Sequence, residues 1–157
     1  MTDILFVHNL KDVIKESAYQ YFRDKEVASE DVVYYITDLL QDPNQVPQEY
    51  LAFDEPAALI LAEAAEREQK NEDAYTVYKH LADASILNSS LFRDALNEHM
   101  EPEYYDDIGK MSCLKAGKKT NHNVFQDIFL EIHNYYDRIT YEIRQYWKTE
   151  ITDNRDW

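Results

Sequence analysis

Apolar residues recur at helical spacing along almost the whole chain. Leu10, Val13, Ile14, Ala18, Tyr21 and Phe22 follow one another in steps of mostly three and four, which predicts an amphipathic helix over residues 3–24. A second helix is predicted after Ser29, a natural N-cap, with Glu30 and Asp31 placed against the positive end of the helix dipole. Val32, Val33, Ile36, Leu39 and Leu40 form its stripe, and Asp42-Pro43 stops it. Asp54-Glu55-Pro56 opens a third helix that is rich in alanine and ends near Lys70-Asn71. Asn71 or Asp73 caps a fourth, with Tyr75, Tyr78, Leu81 and Ala82 turned inward. Ser89 or Ser90 caps a fifth that carries Leu91, Phe92, Ala95, Leu96 and Met100 inward. A short sixth runs from about Tyr104 to Ile108.

The pattern then changes. Residues 110–122 read as a lysine-rich loop, with Lys110, Lys115, Lys118 and Lys119 beside Gly109 and Gly117, the only two glycines of the chain. The last stretch, residues 123–151, carries Phe125, Phe129, Ile132, Tyr136, Ile139, Ile143 and Tyr146 at alternating gaps of four and three. That is a heptad-like seam. About 28 residues at 1.5 Å each give a helix of roughly 42 Å, suited to the spine of a bundle or to one arm of a dimer. No strand competes with the 3.6-residue period, so the expected fold is an all-α single domain of six to seven helices closed by a long C-terminal helix.

Charge sharpens this picture. The 157 residues include 31 acidic and 16 basic ones, a net of −15. The balance is uneven: residues 1–109 hold 24 acidic and 8 basic residues, and the remainder 7 and 8. A basic footprint for direct nucleic-acid binding is therefore absent. Hydrophobic residues make up 45% of the chain and aromatic residues 13%, too much for a disordered acidic tail. The single cysteine, Cys113, cannot close an internal disulfide, and the N-terminus has neither a basic nor a long apolar segment. Both features point to the cytoplasm, and no stretch is apolar enough for a membrane.

Catalytic and metal chemistry find little to stand on. His8, His80, His99, His122 and His133 are scattered, no Glu-x-x-His or His-Glu-x-x-His is present, and no metal or cofactor is expected. Gly117-Lys118-Lys119-Thr120 lacks both the upstream glycine and the strand of a phosphate loop. Cys113 lies near lysines that would lower a thiol pKa, with His122 as the only base near it in sequence. Arg93-Asp94 with His99 gives an Arg-x5-His pattern that resembles the motif of the helical HEPN ribonucleases. The resemblance covers seven residues and would make Arg93 and His99 an active pair across a dimer.

The carboxylates carry more information. They gather at Asp24, Glu26, Glu30 and Asp31; at Glu63, Glu66, Glu68, Glu72 and Asp73; and at Glu98, Glu101, Glu103, Asp106 and Asp107. On a helical scaffold such groups can be spaced like backbone phosphates, which occur once per roughly 1.7 Å of duplex axis. The first and third clusters, with Tyr104 and Tyr105 as aromatic anchors, are the candidate surface for a basic, nucleic-acid-binding protein. In size, helicity, acidity and tyrosine content the chain is similar to phage-encoded anti-restriction and anti-CRISPR decoys. That likeness is one of composition and implies a non-enzymatic inhibitor that mimics nucleic acid. The alternative is a helical scaffold or homodimer joined through the seam of residues 125–146, the charge serving solubility alone.

Overall fold

The computed structural model describes residues 2–51, 57–70, 73–96 and 102–152, with side chains described over residues 12–51, 59–70, 73–94 and 103–151. Helix α1 spans Thr2–Asp24 and α2 spans Glu30–Gln41. The face α1 turns inward is Ile14, Ala18 and Phe22, spaced by four, while Val13 stays 39% exposed. The helix ends in a Schellman motif: the Val27 N–H donates to the Phe22 carbonyl at 3.2 Å and the Glu26 N–H to the Arg23 carbonyl at 3.1 Å. Glu26 occupies the left-handed position of that motif, at φ 51°. Val27 and Phe22, the apolar pair that normally accompanies this cap, are both buried.

Helix α2 starts as its sequence predicts. The Val32 N–H donates to Ser29 Oγ, and the five apolar stripe residues are buried. The Ser29 N–H in turn donates to Glu131 Oε2 at 2.7 Å, which ties this cap to the C-terminal part of the chain. Two short 3-10 turns, Pro43–Gln45 and Gln48–Tyr50, follow. Helix α3 spans Ala57–Gln69; its expected start at residues 54–56 lies outside the described residues.

Helix α4, Tyr75–Ser89, is the centre of the bundle. It packs against α3 and against three of the helices that follow it in the chain, and every residue from Leu81 to Ser90 is buried. Ala74 is the residue at its N-cap, and Asp73, one position earlier, accepts from the Tyr75 N–H through Oδ1 at 3.0 Å. The fifth helix is described over one turn, α5, Arg93–Leu96. Residues 97–101, and the side chains of Ala95 and Leu96, lie outside what the structure describes, so the expected stripe from Ala95 to Met100 lies there too.

The lysine-rich segment is helical as far as Lys119, and only residues 120–122 of the expected loop lie outside a helix. Helix α6 runs from Pro102 to Lys119 and absorbs both glycines. They serve close packing instead of a turn. A Cβ on Gly109 would fall 2.1 Å from the Tyr136 hydroxyl, and one on Gly117 would meet Leu130 and Phe129 at 3.2–3.3 Å. Small residues let α6 lie against α4 and the C-terminal helices, so glycine here marks contact between helices.

The expected long helix is divided. Helix α7 spans Asn123–Asn134 and α8 spans Tyr136–Tyr146, followed by a π-helical segment, Trp147–Thr152. Tyr135 leaves helical geometry at φ −121° and ψ 27°. The Thr140 hydroxyl donates to the Tyr136 and Asp137 carbonyls, a back-bonding pattern that bends helices. The main core joins α1, α2, α3, α4, α6, α7 and α8, with Tyr78, Tyr136, Tyr146, Phe22 and Phe129 as its largest side chains. A smaller cluster of Leu81, Tyr105 and Ile108 lies under Tyr50 and Leu61. The molecule is an all-α single-domain bundle, with no strand among the described residues.

Candidate functional site

The first carboxylate cluster sits where α1 turns into α2. Asp24, Glu26, Glu30 and Asp31 are all exposed, and none enters an ion pair among the described residues. Two of them orient local polar groups: Gln20 Nε2 donates to Asp24 at 2.8 Å, and the Tyr19 hydroxyl donates to Glu30 at 3.0 Å. Hydrogen bonding with Tyr34 and then Glu30 pushes the Tyr19 hydroxyl up to about 12. Among nearby cations, Lys25 lies 5.2 Å over the Tyr21 ring, and Arg138 Nη2 donates to the Glu26 carbonyl oxygen at 3.2 Å.

The third cluster is of mixed sign. Glu103 and Asp107 are exposed on α6, but the Asp106 side chain is only 14% exposed and accepts from Arg93 at 3.1 Å. These residues line a cleft of about 430 Å³ shared with Lys110, Arg144 and Asp137. Lys110 pairs with Asp137 at 2.9 Å, and Arg144 pairs with Asp94. Glu98 and Glu101, expected in the same cluster, lie outside the described residues. Tyr105 is no surface anchor: it is 2% exposed and packs with Leu81 and Ile108. Tyr104 is half-buried, its ring edge-on to Tyr105. Adjacent tyrosines on a helix cannot share one face, and here the inward one belongs to the core.

The two clusters flank the α7–α8 junction. Arg138 contacts the Glu26 carbonyl on one side, and its neighbour Asp137 contacts Lys110 on the other. Lys110 lies one turn beyond Asp106 and Asp107 on α6. The junction itself presents Tyr135, more than half exposed.

Two further lysines of α6 are also engaged. Glu68 of α3 pairs with Lys119 at 2.8 Å and with Lys115 at 3.9 Å, and accepts from the Tyr78 hydroxyl at 2.7 Å. Hydrogen bonds from Lys119 and then Tyr78 hold the Glu68 carboxyl below its ordinary value. Part of the charge split along the sequence is thus matched internally, basic α6 against acidic α3.

The heptad-like seam is consumed by the chain's own core. Phe129, Ile132, Tyr136, Ile139, Ile143 and Tyr146 are buried within the bundle, and only Phe125, at 37%, reaches the surface. Their alternating spacing reflects packing against α1, α2, α4 and α6, and the buried six leave no apolar face for a second copy.

Candidate chemistry elsewhere is equally committed to structure. Cys113 is fully buried, and burial pushes its thiol well above the ordinary range, opposite to the expected effect of nearby lysines. Arg93 is spent on Asp106 and the Ser89 carbonyl, while His99 lies outside the described residues. His133 Nδ1 is bonded to the Lys110 carbonyl at 2.7 Å. Among the described residues no group of three or more His, Cys, Asp or Glu side chains could hold a metal, and no helix is long and apolar enough to cross a membrane.

Two features are absent from the sequence reading. Asp83 is buried in α4, where it accepts from the Tyr35 hydroxyl and pairs with Lys79 at 2.9 Å. Burial pushes its carboxyl up, against the pull of Lys79 and then Tyr35. The signal available in sequence was the Lys79–Asp83 spacing of four. The second is a groove of about 440 Å³ between α1 and α2, bounded by Tyr19 and Tyr34 and adjoining the first carboxylate cluster. A comparison with protein families, curated proteins and solved structures finds no match for this chain.

Proposed function

We propose that this protein is a non-enzymatic binder of a basic protein, acting through the carboxylates at the α1–α2 turn. The sharper form is an inhibitor that occupies a basic nucleic-acid groove in place of phosphates. The observation that carries the reading is the set Asp24, Glu26, Glu30 and Asp31: exposed, close together in one turn, and without ion pairs among the described residues. Glu26 adds to it. Its left-handed backbone position suits glycine, and a glutamate there costs about 1 kcal/mol of backbone strain. An exposed, charged side chain at such a position fits a surface role. The α6 acids contribute less, because Asp106 is paired and the cleft around it also holds Arg93, Lys110 and Arg144.

The test is retention of proteins from a cell lysate on the immobilised chain, with the bound material identified by mass spectrometry. The wild-type chain should retain a basic nucleic-acid-binding protein at low salt. A variant carrying Asp24→Asn, Glu26→Gln, Glu30→Gln and Asp31→Asn should not. Equal retention by both would remove the α1–α2 turn from the account.

A further inference from the structure

The groove between α1 and α2 has features beyond its charge. Tyr34 and Asp38 lie four apart on α2, so both project to the same side of that helix. Tyr34 is 57% exposed, although its ring meets that of Tyr19 at a centroid distance of 4.8 Å and an angle of 35°. Tyr19 is held by its hydrogen bond to Glu30, so it backs Tyr34 from one side and leaves the other face open. Thr37 lies between them in the groove lining; it is 5% exposed, and its Oγ1 has no hydrogen-bond partner. A buried hydroxyl normally finds a partner, and a helical threonine has the carbonyl four residues earlier within reach. This one stands unmet beneath a largely apolar concavity with Glu16 and Asp38 at its rim.

We infer that this groove receives an arginine side chain of the basic partner, its guanidinium stacked on Tyr34 and paired with Asp38. This rests on the functional reading above and supplies its anchor. Charge complementarity selects a cation, because Asp38 and Glu16 are free of ion pairs among the described residues and Lys15 is the only cation of the lining. Shape selects arginine over lysine. A planar guanidinium stacks on an aromatic face and still directs N–H groups to a carboxylate at the ring edge, whereas an ammonium is a compact, strongly hydrated charge. The adjoining carboxylates of the α1–α2 turn steer the partner toward the groove, and the groove fixes one side chain.

The experiment uses fluorescently labelled oligo-arginine and oligo-lysine peptides of equal length, titrated with the full chain. Wild type should bind oligo-arginine more tightly than oligo-lysine. Amide shifts in an isotope-labelled sample should centre on Tyr19, Tyr34 and Thr37. Tyr34→Ala should lower oligo-arginine affinity by roughly two- to fivefold and erase the preference over lysine. Asp38→Asn should weaken oligo-arginine more than oligo-lysine. Tyr34 and Asp38 are exposed, so these variants should keep the wild-type helical content and melting temperature. If Tyr34→Ala and Asp38→Asn bind oligo-arginine as wild type does, while neutralising the α1–α2 carboxylates abolishes binding, the groove assignment fails and the functional reading stands. If wild type binds neither peptide, the functional reading fails with it.

Discussion

Gly109 shows how closely one position can be specified. The Tyr136 hydroxyl, itself bonded to Ser89 Oγ at 2.9 Å, fills the space a Cβ would need. Gly109→Ala should therefore destabilise the fold by about 1–3 kcal/mol despite the better helix propensity of alanine, measured by urea unfolding. A stabilised variant would contradict the packing. Glu68 gives a pH-dependent counterpart. Its folded-state pKa is lowered by Lys119 first, so its contribution to stability is complete above the unfolded-state value and is lost as pH falls through the folded one. Lys119→Ala should move the Glu68 carboxyl back toward 4.5 in an NMR titration. An unmoved titration would mean that the ion pair does not form. Neither relationship was legible in the sequence. Gly109 and Lys119 read there as loop residues, because glycine and clustered lysine mark loops far more often than they mark a helix contact and its ion pairs.

Among the helices, period alone was enough for α2, α7 and α8, where one face meets the core and the other meets water. It failed for α4. A helix surrounded on all sides has no polar face to alternate with, and Asp83, Ser85, Asn88 and Ser89 are buried there. The division of the C-terminal helix at Tyr135 was hidden for a different reason: the heptad-like spacing continues unbroken from Phe125 to Tyr146 across the bend. Spacing records which residues face inward and does not record whether they face one neighbour or several. The same ambiguity produced the dimer seam. Because Ile132 and Ile139 are completely buried within one chain, Ile132→Asp or Ile139→Asp should cost about 3–5 kcal/mol and unfold the protein, seen as lost helical circular dichroism. A folded monomer arising from a wild-type dimer would instead restore the seam.

Over the molecule as a whole, the net charge of −15 resolves into parts with different fates. Some carboxylates are internal partners: Glu68 for α6 lysines, Asp83 for Lys79, Asp106 for Arg93. Others, Asp24, Glu26, Glu30 and Asp31, face water with no cation assigned to them among the described residues. The sequence showed the clusters but not this distinction, since pairing depends on which helices the fold brings together. The unpaired group is where long-range attraction to a basic partner would act, and such attraction is screened by salt. The most direct test is the affinity for a labelled oligo-arginine peptide as ionic strength is raised from about 0.01 M to about 1 M, over which the screening length falls from roughly 30 to roughly 3 Å. Binding should weaken steeply for the wild type, and the variant neutralised at Asp24, Glu26, Glu30 and Asp31 should bind weakly throughout with a much flatter salt dependence. Wild-type affinity that does not change with salt, or a neutralised variant that follows the wild-type curve, would contradict an acidic binding face at the α1–α2 turn.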